Sequence, residues 1–310
     1  MNHGGMAVAL VGATASGKSA LAHELALEQR GVEILSVDAM SVYRTMDLGT
    51  AKPTAEERRA VDYHLLDLVD PAEEFTVAQF QGHARDAVDE VWLAGGSALY
   101  VGGTGLYGRA VLDNLEIPGQ FPEVRRELEA RAQVGLTQLY EELTDLDPLA
   151  ASRMEPTNAR RVVRALEVCR GSGRPFSSYG DGLLTYGPVR VVQVGLDVEL
   201  EELDRRIERR FHDWMEQGLL AEVERLAAAP TGLGRTARQA VGYRELLAHV
   251  EQEVPLEDCV RDAVTHSRRL ARRQRSWFRR DPRIEWFSEV DQARRRLVDV
   301  LTSPDGFVRD

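Results

Sequence analysis

An eight-residue segment near the N-terminus has the pattern of a phosphate-binding loop. Residues 12–19 fit the pattern G-x-x-x-x-G-K-[S/T], with an apolar strand-like run before them and a helix-like run after them. Backbone N–H groups and a helix N-terminus attract anions, Lys18 supplies a cation, and the Ser19 hydroxyl suits Mg²⁺. The predicted diphosphate- or nucleotide-binding residues are Gly12, Ala13, Thr14, Ala15, Ser16, Gly17, Lys18 and Ser19. The pattern leaves open whether ATP, GTP or an alkyl diphosphate is bound.

Two further polar residues follow directly after apolar runs. Asp38 follows the run 33–37, and Thr104 follows the run 98–101 within a Gly-Gly-Thr-Gly turn. Because ligands of parallel sheets gather at the carboxyl ends of strands, we expect both residues to meet the loop in one crevice. Asp38 suits either a general base or a structural, magnesium-orienting carboxylate. Thr104 suits either a ligand contact or a simple tight turn.

Composition indicates a globular protein of ordinary kind. Of the 310 residues, 43% are apolar and 29% are charged, and the formal net charge is −11. Cys169 and Cys259 are far apart, which argues against a disulfide framework or a zinc site. No apolar run approaches the ~20 residues that span a bilayer, and residues 1–7 carry no targeting pattern. We expect a cytoplasmic protein with no membrane partner.

The acidic average hides a basic segment near the C-terminus. Between residues 266 and 280 there are seven arginines and no acid: Arg268, Arg269, Arg272, Arg273, Arg275, Arg279 and Arg280. Four of them follow the i, i+4, i+7, i+11 spacing of one helix face. This stripe suits phosphate contacts with a nucleic acid, and the alternative is a solvated helix face.

Alternating strand and helix patterns predict an α/β fold with a parallel sheet flanked by helices, a P-loop NTPase-like core. From about residue 117 the pattern becomes helical, with helices at 122–143, 148–153 and 158–170 and a loop at 177–187. A strand returns at 189–196, and helices follow at 203–217, 219–228, 242–250 and 256–279. We therefore predict a core of residues 1–116 and 188–310 and a small all-helical insertion domain of residues 117–187.

Taken together, these segments resemble the bacterial form of the tRNA dimethylallyltransferase (tRNA isopentenyltransferase) family over residues 9–286. The motifs that carry the resemblance are residues 12–19, 36–43, 46–53, 64–67, 101–107, 158–168, 239–244 and 272–278. The segment ending Gly49-Thr50-Ala51-Lys52-Pro53 is especially particular to this family.

The resemblance implies a reaction and a set of residue roles. The family moves a dimethylallyl group from dimethylallyl diphosphate to N6 of the adenosine 3′ of the anticodon, without ATP. It implies Asp38, Thr104 and Arg210 as catalytic residues, Mg²⁺ as cofactor, and a monomer without an obligate protein partner that grips the anticodon arm of tRNA. The implied tRNA contacts are Asp38, Ala39, Met40, Ser41, Thr104, Arg125, Arg160, Arg161, Val162, Val163, Arg164, Gln239, Gly242, Tyr243, Arg244, Arg272 and Arg275.

Two departures from the family pattern follow Asp38. The family usually has Ser in the next position and often Gln two positions later, where this chain has Ala39 and Ser41. The residues alone also leave three other hypotheses: a P-loop small-molecule kinase, an adenylate isopentenyltransferase that modifies a free nucleotide, and a non-enzymatic nucleic-acid-binding NTPase switch.

Overall fold

The computed structural model describes residues 6–180, 183 and 185–303. Two sequence-based expectations fall partly outside this range. They are the absence of a targeting pattern in residues 1–7, of which 1–5 are not described, and the loop 177–187, of which residues 181, 182 and 184 are not described. Contacts divide the chain into two compact units, one up to Asp113 and again from Pro188, the other Asn114–Gly187. The sequence-based boundaries fall at residues 117 and 187.

The first unit contains a six-stranded sheet in which every neighbouring pair of strands is parallel. The strands are β1 (Ala7–Gly12), β2 (Val32–Val37), β3 (Tyr63–His64), β4 (Ser97–Gly102), β5 (Val192–Leu196) and β6 (Ile284–Phe287). Their order across the sheet is β3-β2-β4-β1-β5-β6. The α/β prediction with a parallel sheet is therefore confirmed.

Helices of this unit cover both faces of the sheet. They are α1 (Lys18–Glu28), α2 (Ala55–Ala60), α3 (Val77–Leu93), α4 (Gly105–Leu112), α9 (Leu200–Glu216), α10 (Leu219–Ala228), α11 (Tyr243–Gln252), α12 (Leu256–Phe278) and α13 (Val290–Thr302). Alternate side chains of β1 point to opposite faces, as strand geometry requires. Val8 and Leu10 pack with residues of α1 and α13, whereas Ala9 and Val11 pack with residues of α3 and α12.

The second unit is helical and has its own core. Its helices are α5 (Pro122–Val134), α6 (Leu136–Leu146), α7 (Pro148–Ser152) and α8 (Ala159–Ser172). Leu128, Leu139 and Leu166 are fully buried together. The prediction of one helix over 122–143 is wrong, because Gly135 separates α5 from α6 with extended backbone. Such a residue has no Cβ and costs helix stability, so the chain turns there.

Five elements were missed from the sequence: the short helices α2 and α4, the strands β3 and β6, and the helix α13. β3 has only two residues, and β6 has four. Each lies at an edge of the sheet, where a strand needs only one paired neighbour. α13 follows β6 and buries Leu297 and Val300 against the sheet.

Candidate active site

Three neighbouring strands deliver the candidate residues to one edge of the sheet. In the register, Gly102 of β4 pairs with Val37 of β2 on one side and with Val11 of β1 on the other. The phosphate-binding loop, Asp38 and Thr104 follow these three strand ends. Residues of the loop and Asp38 line a cavity of about 340 Å³ together with Arg210 of α9 and Gln274 of α12. Thr104 directly follows Gly103, which also lines this cavity. The predicted convergence is therefore what the fold produces.

The phosphate-binding loop wraps the N-terminus of α1. Gly17 precedes the helix with φ of 94°, a left-handed conformation that glycine adopts without strain. The Thr14 N–H donates to the Gln274 side-chain oxygen at 2.8 Å, and Arg210 donates to the Thr14 hydroxyl at 2.7 Å. Lys18 donates to the Ala13 carbonyl at 3.2 Å. The loop is thus held by side chains from α9 and α12.

Two partly buried cations face this loop. Burial lowers the pKa of Lys18 to about 8, with the nearby Asp38 carboxylate opposing that shift and Arg210 adding to it. Burial also lowers the pKa of Arg210 to about 10. Its guanidinium lies over the Trp214 ring at 4.6 Å, and no carboxylate pairs with it within the described residues. A largely desolvated guanidinium without a paired carboxylate is stabilised by an anion, so this wall suits a diphosphate.

Asp38 and Thr104 form a bonded pair on the other side. One Asp38 carboxylate oxygen accepts the N–H groups of Met40 at 2.8 Å and of Ser41 at 3.2 Å. The other accepts the Thr104 hydroxyl at 3.3 Å, and the Thr104 oxygen in turn accepts the Ala39 N–H at 3.2 Å. The backbone bonds fix the carboxylate, while its second oxygen is directed at the cavity side of Thr104. A carboxylate held this way can take a proton from a bound acceptor.

The loop of residues 47–53 forms a further part of the cavity wall, and the buried side chains of Lys52 and Glu222 hold it in place. Lys52 donates to the Tyr43 carbonyl at 2.6 Å, to Asp47 at 3.0 Å and to Asp67 at 2.6 Å. These bonds, with one from Arg58, keep the pKa of Asp67 below its usual range although burial opposes that shift. From α10, the Glu222 carboxylate accepts the N–H groups of Asp47 and Leu48.

Several residues predicted to contact tRNA are buried. Val162 and Val163 are 0% and 3% exposed in the core of the helical unit, so their side chains are structural, and contact of these two residues with tRNA stays a prediction. They lie on the apolar face of α8. Tyr243 is fully buried and donates to Glu222, so its side chain is also structural, and burial with Glu222 raises its pKa. Ser41 is buried but lines the cavity.

The remaining predicted tRNA contacts differ in how they are paired. Arg160 and Arg161 are exposed at the start of α8. Arg125 and Arg164 both pair with the buried Glu167. Gln239, Gly242 and Arg244 lie just before or at the start of α11, where Arg244 is paired with Glu245. Contact of these residues with tRNA stays a prediction.

Four arginines of the basic stripe are paired with acids of other elements. Arg268 and Arg272 pair with Asp204 of α9, and Arg275 and Arg279 pair with Asp197 just after β5. The Asp204 carboxylate raises the pKa of Arg272, and the Asp197 carboxylate raises that of Arg275. Asp197, Asp204 and Glu208 together offset three of these four positive charges, so the stripe stays basic but is partly paired, by acids about 60 to 80 positions away in the chain. Contact of Arg272 and Arg275 with tRNA stays a prediction.

Two cavity residues were missed from the sequence as individual candidates. Gln274 lies within the motif 272–278, and Trp214 follows Arg210 by one helical turn. The i, i+4 spacing of Arg210 and Trp214 on α9 was a usable signal. Gln274 offered none, since its partner Thr14 is 260 residues away.

No helix of the described residues is long and apolar enough to cross a membrane. Within the same residues, no group of three or more metal-binding side chains occurs.

Comparisons with known proteins agree with this geometry. The IPP transferase family model matches residues 41–281, and an isopentenyl transferase model matches residues 6–73. A tRNA dimethylallyltransferase of Nocardioides is 46% identical over 96% of this chain and 94% of its own length. One of Paenarthrobacter aurescens is 45% identical over 94% of this chain and 92% of its own.

Solved structures have the same fold. A full-length tRNA isopentenylpyrophosphate transferase of Bacillus halodurans matches with a TM-score of 0.66 at 36% identity, covering 94% of this chain and 95% of its own. A eukaryotic dimethylallyltransferase acting on tRNA matches with a TM-score of 0.78 at 24% identity, covering 95% of this chain and 78% of its own. By its matched family model and its relatives over nearly the full length, the chain belongs to the IPP transferase family.

Proposed function

We propose that this protein transfers a dimethylallyl group from dimethylallyl diphosphate to N6 of the adenosine 3′ of the tRNA anticodon. The observation that carries the proposal is that Asp38, which accepts a hydrogen bond from Thr104, lines the same cavity as Lys18 and Arg210 at the phosphate-binding loop. A donor diphosphate and an acceptor amine need these two different chemistries side by side. Family membership supplies the donor and acceptor classes.

On the donor side, the reaction breaks a C–O bond and leaves negative charge on diphosphate. Lys18 and Arg210, both partly buried at the loop, are positioned to stabilise that charge as it develops. The Trp214 ring under Arg210 and the Thr14 hydroxyl hold the guanidinium in place. Their preorganisation means that little reorientation is needed during the reaction.

The residues present fit a magnesium ion bound with the diphosphate. Ser19 lines the cavity, and one protein hydroxyl with phosphate oxygens and waters is a donor set that Mg²⁺ accepts. The ion would neutralise charge on the leaving diphosphate. The Ser19 hydroxyl would hold the ion, and the nearby Asp38 carboxylate favours the charged form of Lys18 beside it.

On the acceptor side, the N6 amine of adenine is a weak nucleophile. Asp38 would accept a proton from N6 as the new N–C bond forms, with Thr104 orienting the carboxylate. The acceptor base must leave its stack to reach the cavity, so we propose base flipping. Arg160 and Arg161 are proposed as phosphate contacts, and the protein is proposed to act in the cytoplasm as a monomer.

A transfer assay tests this proposal. Purified protein, Mg²⁺ and radiolabelled dimethylallyl diphosphate are incubated with unmodified tRNA, or with AMP, in the absence of ATP. Label in tRNA is the expected result, and tRNA with the target adenosine replaced by guanosine should take up none. Label in AMP alone would indicate an adenylate isopentenyltransferase. Without label in either, the proposal fails, and consumption of ATP with small acceptors would indicate a kinase.

A further inference from the structure

The long helix α12 contacts the carboxyl ends of β1 and β4 through two side chains one turn apart. Gln274 and Trp277 are three positions apart, a spacing that places them on the same helix face. Gln274 reaches the phosphate-binding loop, and Trp277 reaches the turn after β4. These contacts connect the two sides of the candidate active site.

The Gln274 amide lies between the phosphate-binding loop and Gly103. Its oxygen accepts the Thr14 N–H at 2.8 Å, which assigns the other end of the amide as nitrogen. That nitrogen lies close to Gly103: a Cβ there would be 2.7 Å from it and 3.3 Å from the Gly12 carbonyl oxygen. A side chain at Gly103 would therefore displace the amide from its position between β1 and β4.

Trp277 fixes the other end of the same turn. A Cβ on Gly105 would lie 2.1 Å from the Trp277 ring, so the backbone and the indole are in close contact. Thr104 stands between these two glycines, and its hydroxyl bonds to Asp38. Helix α12 thus borders both neighbours of the residue that orients the candidate base.

From these contacts we infer that Gln274 is a positioning residue that sets the distance between the donor and acceptor sides of the site. Through Thr14 it fixes the loop that would hold the diphosphate, and through Gly103 it fixes the turn that carries Thr104. The inference rests on the proposed function for its catalytic consequence, while the structural tie stands without it. Displacement of reacting groups by about 1 Å costs on the order of 100-fold in rate, so this residue should affect turnover more than binding.

Hydrogen exchange tests the structural tie independently of activity. In Gln274→Met the side chain keeps its approximate volume but cannot accept the Thr14 N–H, so that amide should exchange roughly fivefold faster. In Gln274→Glu the acceptor remains, so the Thr14 amide should stay protected. Gln292→Met on the exposed surface of α13 is the matched control and should leave the loop unchanged. Equal exchange at Thr14 in wild type and Gln274→Met would overturn the inference.

Kinetics test its consequence. Gln274→Met should lower kcat by about 100-fold with KM for tRNA unchanged. Gln274→Glu should keep most of kcat and raise KM for the donor by about tenfold, because it adds a negative charge near the diphosphate site. If Gln274→Met does not fold, Gln274→Leu, which also cannot accept the Thr14 N–H, takes its place, and wild-type exchange at Thr14 in that variant overturns the inference. If the wild type transfers nothing to tRNA, the proposed function fails, whereas the exchange experiment still tests the tie.

Discussion

The lowered pKa of Lys18 predicts that stability and ligand binding respond to pH in opposite directions. Burial lowers this pKa from 10.5 to about 8 in the folded protein. Below about pH 8 the folded and unfolded chains both carry the charge, and the folded state bears the full cost of burying it. As pH rises through about 8, the folded protein releases the proton first and this cost falls. The free energy of unfolding should therefore rise by ~1.4 kcal/mol per pH unit up to about pH 10.5, by about 3 kcal/mol in all.

Diphosphate binding should change in the opposite sense. An alkyl diphosphate is fully ionised above about pH 7 and needs the charged form of Lys18. Its affinity should fall about tenfold per pH unit above about pH 8. Lys18→Arg retains its charge throughout this range, so its affinity should stay flat from about pH 8 to about pH 9.5, below the pH at which Arg210 starts to lose its own proton. Titration calorimetry with an unreactive thiolo analogue of the donor measures this binding.

Urea unfolding of the protein without ligand, at several pH values from about 7 to 10, measures the stability. Lys18→Met is the control, because it lacks the titrating group and should lose the rise attributed to it. If wild type and Lys18→Met show the same pH dependence of unfolding, Lys18 does not bear a burial cost. If donor affinity is also flat in the wild type, Lys18 is not the cation that binds the diphosphate.

Three other predictions follow from named contacts. Asp38→Asn keeps an oxygen for the Met40 and Ser41 N–H groups but cannot take a proton. Single-turnover rates should therefore fall by roughly 10²–10⁴-fold, with tRNA affinity unchanged. A rate close to the wild-type value would exclude the general-base role. Gly105→Ala should lower the free energy of unfolding in urea by about 1–3 kcal/mol, because the added methyl group would clash with the Trp277 ring. Gly108→Ala in the same helix is the control and should cause no such loss, because a Cβ there meets nothing within 4 Å. Equal effects of the two substitutions would contradict the close contact. The double substitution Arg160→Ala and Arg161→Ala should weaken tRNA binding. It should also reduce the slope of log affinity against log salt by about 0.7–0.9 for each phosphate that is no longer neutralised. Arg261 pairs with Asp258, so Arg261→Ala is the control and should change neither quantity, and an unchanged slope in the double variant would leave Arg160 and Arg161 as solvated surface.

The sequence determined the parts of this protein that are local in the chain. The glycine, lysine and serine spacing of residues 12–19 specifies the loop because its backbone conformation needs those residue types. Asp38 and Thr104 were found because each follows an apolar strand, and parallel strands bring their carboxyl ends to one edge. The family was also predicted from ordered motifs, and the comparisons confirmed it.

Only the tertiary structure decided how distant charges and amides pair. The basic pattern of the 268–279 arginines was visible in the sequence, but only the fold shows that four of them share the carboxylates of Asp197 and Asp204. Val162 and Val163 directly follow the exposed Arg161 in the chain, but they lie on another face of the same helix and are buried in the core of the helical unit. Gln274 reaches Thr14 across 260 residues. Spacing predicts residues that share a strand, a turn or a helix face, whereas contacts between elements depend on how those elements pack.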